Sequence, residues 1–139
     1  MQRRWGSMLG DAGARAAETK FRVLYFGADL KLIAALQQVL TKPKYQLITS
    51  SNYDDTVLFL KSRIPYDLLL IDFDWREEEG LKLARRARAI RHRKRMPIVL
   101  VAAKEPGSET RMLLSGVSVN EWILKSDDVF KVIASYGKF

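Results

Sequence analysis

The sequence predicts one α/β domain, a five-stranded parallel sheet with helices on both faces. Three observations predict it. Short apolar runs alternate five times with segments whose apolar residues recur at helical spacing. Two of those runs, at 67–72 and 96–102, are continuous rather than alternating, as strands buried on both faces read. The connections between them are short, which in a strand-helix-strand chain gives right-handed crossovers and one sheet. A chain of 139 residues, 47% of them hydrophobic, supports a single core and not two.

Residues 1–20 are rich in Gly, Ala, Arg and Ser without a sustained period, and are expected to form a flexible arm ahead of a domain at 21–139. The first strand is predicted over 22–26. Asp29 can cap a helix whose Leu32, Ile33, Leu36, Val39 and Leu40 share one face, ended by Lys42-Pro43-Lys44. A second strand follows at 45–49, then a helix opened by Asn52 or Asp54 and carrying Val57, Leu58, Phe59 and Leu60, which Pro65 closes. The run at 67–72 is predicted to be the central strand. After it, Leu81, Leu83, Ala84, Ala87 and Ile90 mark the inner face of a basic helix extending through 82–95. The fourth strand is predicted at 96–102, followed by a helix capped by Ser108 that runs through Met112, Leu113 and Leu114 with Gly116 near its end. The fifth strand is expected at 121–125. Asp127 or Asp128 then starts a closing helix that carries Val129, Phe130, Ile133 and Tyr136.

Several function classes are excluded by composition. With no cysteine, disulfides, thiol-bound metals and Cys nucleophiles are ruled out, and a reducing, cytoplasmic setting is expected. No apolar run is long enough to cross a bilayer, so no membrane partner is expected. No Gly-rich phosphate loop is present, because Gly27 stands alone after the first strand. His92, the one histidine, lies in a run of arginines and offers no catalytic triad.

In an open parallel sheet, ligand-binding and reacting groups collect beyond the carboxyl ends of the strands. That rule gathers Gly27, Ala28, Asp72, Ala102 and Lys125 at one rim. A carboxylate there can attack a phosphorus centre to give an acyl phosphate if nearby cations hold the transferring oxygens, and Lys125 is such a cation. The segment Tyr66-Asp67-Leu68-Leu69-Leu70-Ile71-Asp72, Gly80 eight residues later, the run 97–103, and Lys125 after Trp122-Ile123-Leu124 together resemble the receiver (CheY-like) domains of response regulators. The resemblance covers about residues 21 to 139. It implies a flavodoxin-like (βα)5 fold with strand order 2-1-3-4-5, and a signalling role in a two-component or phosphorelay system rather than an enzyme. It also implies Asp72 as phosphoacceptor, Lys125 and Ala102 at the phosphate-contacting positions, Trp122 as switch aromatic, and a signalling protein as partner: a histidine kinase, a phosphotransfer protein or an effector.

The departures from that pattern are equally specific. Gly27 and Ala28 stand where the family keeps the acidic pair that holds Mg²⁺, which leaves Asp72 and Asp74 as the ligands of a weak site or of none. Ala102 replaces a small hydroxyl residue, and Arg76 replaces a loop proline. The expectation is therefore an atypical receiver acting through protein-protein contact, its phosphate chemistry degraded or lost. The alternative is a phosphorylation-independent interaction module, or a binder of nucleic acid or an acidic partner through the basic helix.

That basic segment is where the charge of the chain resides. Of the 24 Lys and Arg, eight lie between Lys82 and Arg95 among no acidic residue, and the remaining 16 equal the 16 Asp and Glu, so the whole excess of +8 sits on one segment. Arg85, Arg86, Arg88, Arg91 and Arg93 are its candidate contacts to phosphate or acidic groups. A solvated helix face, with Glu77, Glu78 and Glu79 at its start favouring the helix dipole, is the competing reading.

Overall fold

A computed structural model describes residues 20–41 and 43–137; the arm expected over 1–20 otherwise lies outside the described residues. Five strands, β1 (Phe21–Phe26), β2 (Tyr45–Ser50), β3 (Leu68–Asp72), β4 (Ile98–Ala102) and β5 (Glu121–Leu124), form one sheet in the order β2-β1-β3-β4-β5. Every neighbouring pair is parallel. Between and after them run α1 (Leu30–Val39), α2 (Tyr53–Lys61), α3 (Glu77–Ala89), α4 (Ser108–Leu114) and α5 (Val129–Gly137). The predicted architecture and strand order are the observed ones. β3 is central, as its unbroken apolar run requires, and Leu68, Leu69, Leu70 and Ile71 are fully buried. Each such side chain contributes about 1.5–3 kcal/mol by leaving water.

Strand alternation sorts the core into two layers. Leu24, Phe26, Leu69, Ile71, Ile98 and Leu100 face α2 and α3, where Val57, Leu60, Leu81, Leu83, Ala84 and Ala87 meet them. Val23, Tyr25, Leu68, Leu70, Val99 and Val101 face α1 and α5, packing on Leu36, Val129 and Ile133. Gly80 lies in the first turn of α3 hard against β3. A Cβ there would stand 3.1 Å from Ile71 Cγ2 and 3.3 Å from Phe73 Cδ1, so the glycine sets how closely helix and strand approach.

Four helices differ from expectation. The basic helix does not run through 95: α3 ends at Ala89, Ile90 turns into extended backbone, and a single 3₁₀ turn, Arg91–Arg93, follows. The cause is Arg93, which is drawn inward. α4 is short and fully buries no residue: Met112 and Leu113 are exposed, Leu114 alone packs against the core, and the cap, Gly107, makes no side-chain bond. In α1, Val39 faces water while Leu36 and Leu40 carry the packing, and in α2 Leu58 is exposed. The predicted caps are otherwise seen: the Asn52 side chain accepts from Asp55 N–H at 2.9 Å, and Asp128 accepts from Lys131 N–H at 3.0 Å.

Candidate functional site

At the carboxyl rim of the sheet the residues far apart in sequence come together. Asp72 ends the central strand with 1% of its surface exposed, and buried charge at such a place requires partners on every oxygen. It has them. Its Oδ1 accepts the Asp74 N–H at 3.0 Å. Its Oδ2 accepts the Tyr25 hydroxyl at 3.0 Å and lies 3.0 Å from Lys125 Nζ. Lys125 is carried there by β5, whose exit is fixed by the Lys125 N–H donating to Ala102 O at 2.8 Å.

Lys125 is shared by three carboxylates. Its Nζ lies 2.8 Å from Asp29 Oδ2, 3.0 Å from Asp72 and 3.3 Å from Asp74 Oδ2. Burial disfavours the ammonium, but the hydrogen bonds from Asp29 and Asp72 and the charge of Asp72 outweigh it, and its pKa is held above the ordinary lysine value. Asp29 serves two purposes with two oxygens. Oδ1 caps α1 by accepting from Lys31 and Leu32 N–H at 3.1 and 3.2 Å, while Oδ2 reaches Lys125. The Lys125 hydrogen bond is the main reason its carboxyl titrates below the ordinary value. Asp74 is positioned by the Ala103 N–H, which donates to Oδ2 at 2.8 Å.

Tyr25 is the residue that sequence reasoning missed. It is fully buried in β1, donates to Asp72, and accepts the Asp29 N–H at 3.3 Å. Burial, then the charge of Asp72, pushes its phenol above the ordinary value, so it stays protonated and keeps donating. The signal was available in its neighbour. Gly27 shares the Tyr25 face of the strand, and a Cβ at 27 would lie 2.5 Å from Tyr25 Oη and 2.6 Å from Asp72 Cβ. Tyrosine fills the space that a longer residue at 27 would need.

This arrangement does not fit a resident Mg²⁺. No acidic side chain can occupy position 27 beside Tyr25, and the space among Asp29, Asp72 and Asp74 is filled by the Lys125 ammonium. Among the described residues no three carboxylate or imidazole groups are placed to hold a metal ion. Asp72 and Asp74, expected as the ligands of a weak site or of none, share Lys125.

The remaining expected residues lie nearby. Ala102 is 2% exposed and offers only its backbone. Trp122 is half-buried, its indole N–H donating to Lys104 O at 3.0 Å and its ring edge-on to Phe73 at 5.2 Å between centroids. Those contacts fix it in place. A cleft of about 180 Å³ lined by Ala28, Asp29, Asp72, Asp74, Trp75 and Lys125 opens over the Asp72 carboxylate.

Comparison with solved structures follows the same geometry. The chain is similar to the receiver domain of a sensor histidine kinase from Pseudomonas aeruginosa, a structure with magnesium in its active-site cleft, at 17% identity over 86% of this chain and 99% of that one, with a TM-score of 0.69. It is similar to a two-component response regulator from Legionella pneumophila, at 15% identity over 83% and 98% of the two chains, TM-score 0.70. A third is the non-phosphorylated HemR receiver domain from Leptospira biflexa, at 20% identity over 83% and 91%, TM-score 0.66. The chain has the receiver fold. No family model matches the sequence, and no curated protein does. At such identities the shared property is the fold, so the chemistry of this receiver-fold site rests on its own residues.

The basic segment lies elsewhere and is divided in its use. Arg93 is buried, 3% exposed, and its guanidinium donates to the carbonyls of Leu60, Ser62 and Ile64 at 2.8, 2.9 and 2.6 Å, closing the open end of α2. It also stacks over Tyr66 at 5.0 Å. Arg88 donates to the carbonyls of Ser118, Lys94 and Met96 and to Asn120 Oδ1. These two hold the fold together, whereas Arg85, Arg86 and Arg91 are exposed.

Proposed function

We propose that this chain is an atypical receiver: a signalling module of the two-component or phosphorelay type that works through protein-protein contact rather than by turning over phosphate on Asp72. The observation that carries the reading is the Tyr25 hydroxyl bound to Asp72 Oδ2 beside Lys125. A carboxylate oxygen that already accepts two strong donors has its lone pairs engaged and attacks phosphorus poorly. Three formal negative charges converge on one ammonium, and an incoming anionic phosphoryl group meets that excess without a metal to offset it. Ala102 adds no hydroxyl to hold a transferred oxygen. The partner expected for such a module is a signalling protein, a histidine kinase, a phosphotransfer protein or an effector, met in whichever single state this site holds.

The second reading, phosphoacceptance by Asp72, is favoured by the cleft over its carboxylate. One experiment separates the two. Intact protein, Asp72→Asn and Tyr25→Phe are each incubated with a small-molecule phosphodonor and Mg²⁺ and weighed by mass spectrometry. No phosphoryl gain on the unsubstituted chain is expected. A stoichiometric gain that Asp72→Asn abolishes would establish phosphoacceptance and end the atypical reading.

A further inference from the structure

The amino end of the sheet carries a second surface. β4 and β5 run parallel, so the residues that precede them, Lys94 and Arg95 before one and Gly116 to Ser118 before the other, meet at the rim opposite Asp72. Five residues of extended strand separate the two rims by roughly 15 Å. There, Arg85, Arg88, Lys94, Arg95, Gly116, Val117 and Ser118 line a cleft of about 490 Å³. Arg86 and Arg91 are exposed on the same stretch of chain. Arg88 is committed to backbone carbonyls, but Arg85, Lys94 and Arg95 are exposed, and among the described residues none of them forms an ion pair. No acidic residue interrupts the segment from which they come.

We propose that this basic cleft binds the phosphate backbone of duplex nucleic acid, through Arg85, Lys94 and Arg95 with Arg86 and Arg91 flanking them. Charge identifies the class of ligand: unpaired cations concentrated on one short segment are complementary to a polyanion. The lining selects among polyanions. A protein partner anchors on large aromatic or aliphatic side chains at the core of its interface, and this cleft is lined by no aromatic residue and by one aliphatic side chain, Val117, which is 8% exposed. A single strand would be held by base stacking, and no aromatic residue lines the cleft. Backbone phosphates need neither. Binding is therefore independent of sequence, and it leaves the Asp72 rim open.

The test is fluorescence anisotropy with a short labelled DNA duplex of mixed sequence, on the full chain and on the triple variant Arg85→Ala, Lys94→Ala, Arg95→Ala. Three phosphate contacts give a slope of about −2.7 in log K against log salt, so these residues alone weaken binding roughly 40-fold between 50 and 200 mM salt. The triple variant is expected to lose that part of the salt dependence. The charge-preserving double variant, Arg85→Lys with Arg95→Lys, is expected to keep it. Circular dichroism and the urea midpoint confirm that each variant is folded. Affinity weaker than about 10⁻⁴ M at 50 mM salt overturns the proposal. So does binding that the triple alanine variant leaves unchanged, or polyglutamate binding that matches duplex binding and falls equally in the variant.

Discussion

Gly27→Ala is the sharpest probe of the site, because it adds one methyl group where Tyr25 and Asp72 leave no room. The backbone at 27 does not lie in the left-handed region, so alanine is allowed there and any cost is steric. The added Cβ would meet Tyr25 Oη at 2.5 Å, Tyr25 Cζ at 2.7 Å and Asp72 Cβ at 2.6 Å. None of these can swing aside: Tyr25 is fully buried and Asp72 Cβ is fixed to the central strand. Overpacking of this kind costs about 1–3 kcal/mol. Displacing the Tyr25 hydroxyl from a buried carboxylate adds about 1.5–3 kcal/mol. Removing a glycine from the unfolded chain returns about 0.4–1 kcal/mol. The net expectation is a loss of about 1.5–5.5 kcal/mol, read from urea unfolding with an unchanged slope. In a Tyr25→Ala background two of the three contacts vanish, and the cost of Gly27→Ala should fall by at least about 1 kcal/mol. A Gly27→Ala protein within about 0.5 kcal/mol of the unsubstituted chain would refute the claim that Tyr25 fills the acid position.

Lys125→Met leaves the buried Asp72 without its cation, and is expected to cost about 2–4 kcal/mol after allowance for the half-buried lysine. If the ammonium is what excludes a metal, millimolar Mg²⁺ should raise the melting temperature of this variant and not of the parent; equal response of both would contradict it. Arg93→Ala, which opens the end of α2, should lose about 3 kcal/mol, with Arg93→Lys recovering part because the charge returns without the fork; calorimetry of the three proteins decides. Asp29 carries a depressed folded pKa, so its contribution to stability is complete above its ordinary value of 3.8 and is lost as pH falls through the lower folded value. The stability gap between the parent and Asp29→Asn should accordingly be widest near neutral pH and close in acid; a gap that persists at the lowest pH would place the effect in the helix cap alone.

Most of the fold was legible because its signals are local and redundant. The unbroken Leu68–Leu69–Leu70–Ile71 run, flanked by short connections, admits few arrangements besides a central parallel strand. Asp72 and Lys125 were legible from the rule that chemistry gathers beyond strand ends, together with the motif around each. Arg88 and Arg93 were not. In sequence they belong to a uniform run of bases, and what distinguishes them is the set of carbonyls at the end of α2 and around β4 and β5 that only the packed chain offers. Tyr25 reads as one more apolar strand residue until Gly27 is considered with it. Asp29 shows a further limit of sequence reading: it reads as a helix cap, yet a carboxylate has two oxygens, and here one caps α1 while the other meets Lys125.

The two rims of the sheet are electrostatically opposite, and this bears on what each can do. At the carboxyl rim three aspartates answer one lysine, so anions are repelled unless a cation accompanies them. At the amino rim unpaired arginines and lysines stand in a run without acids, so anions are attracted. A polyanion and an anionic phosphodonor therefore both favour the rim that lacks Asp72. Raising salt weakens that preference, since exposed charges roughly 15 Å apart lie beyond the screening length of about 8 Å at physiological ionic strength. The rims thus act independently in physiological salt, and charge removal at Arg85, Lys94 and Arg95 should leave the behaviour of Asp72 towards a phosphodonor unchanged. Were that behaviour to change with the basic residues gone, the two ends would be coupled through the fold, and the packed strand β4 between them would be the element to examine.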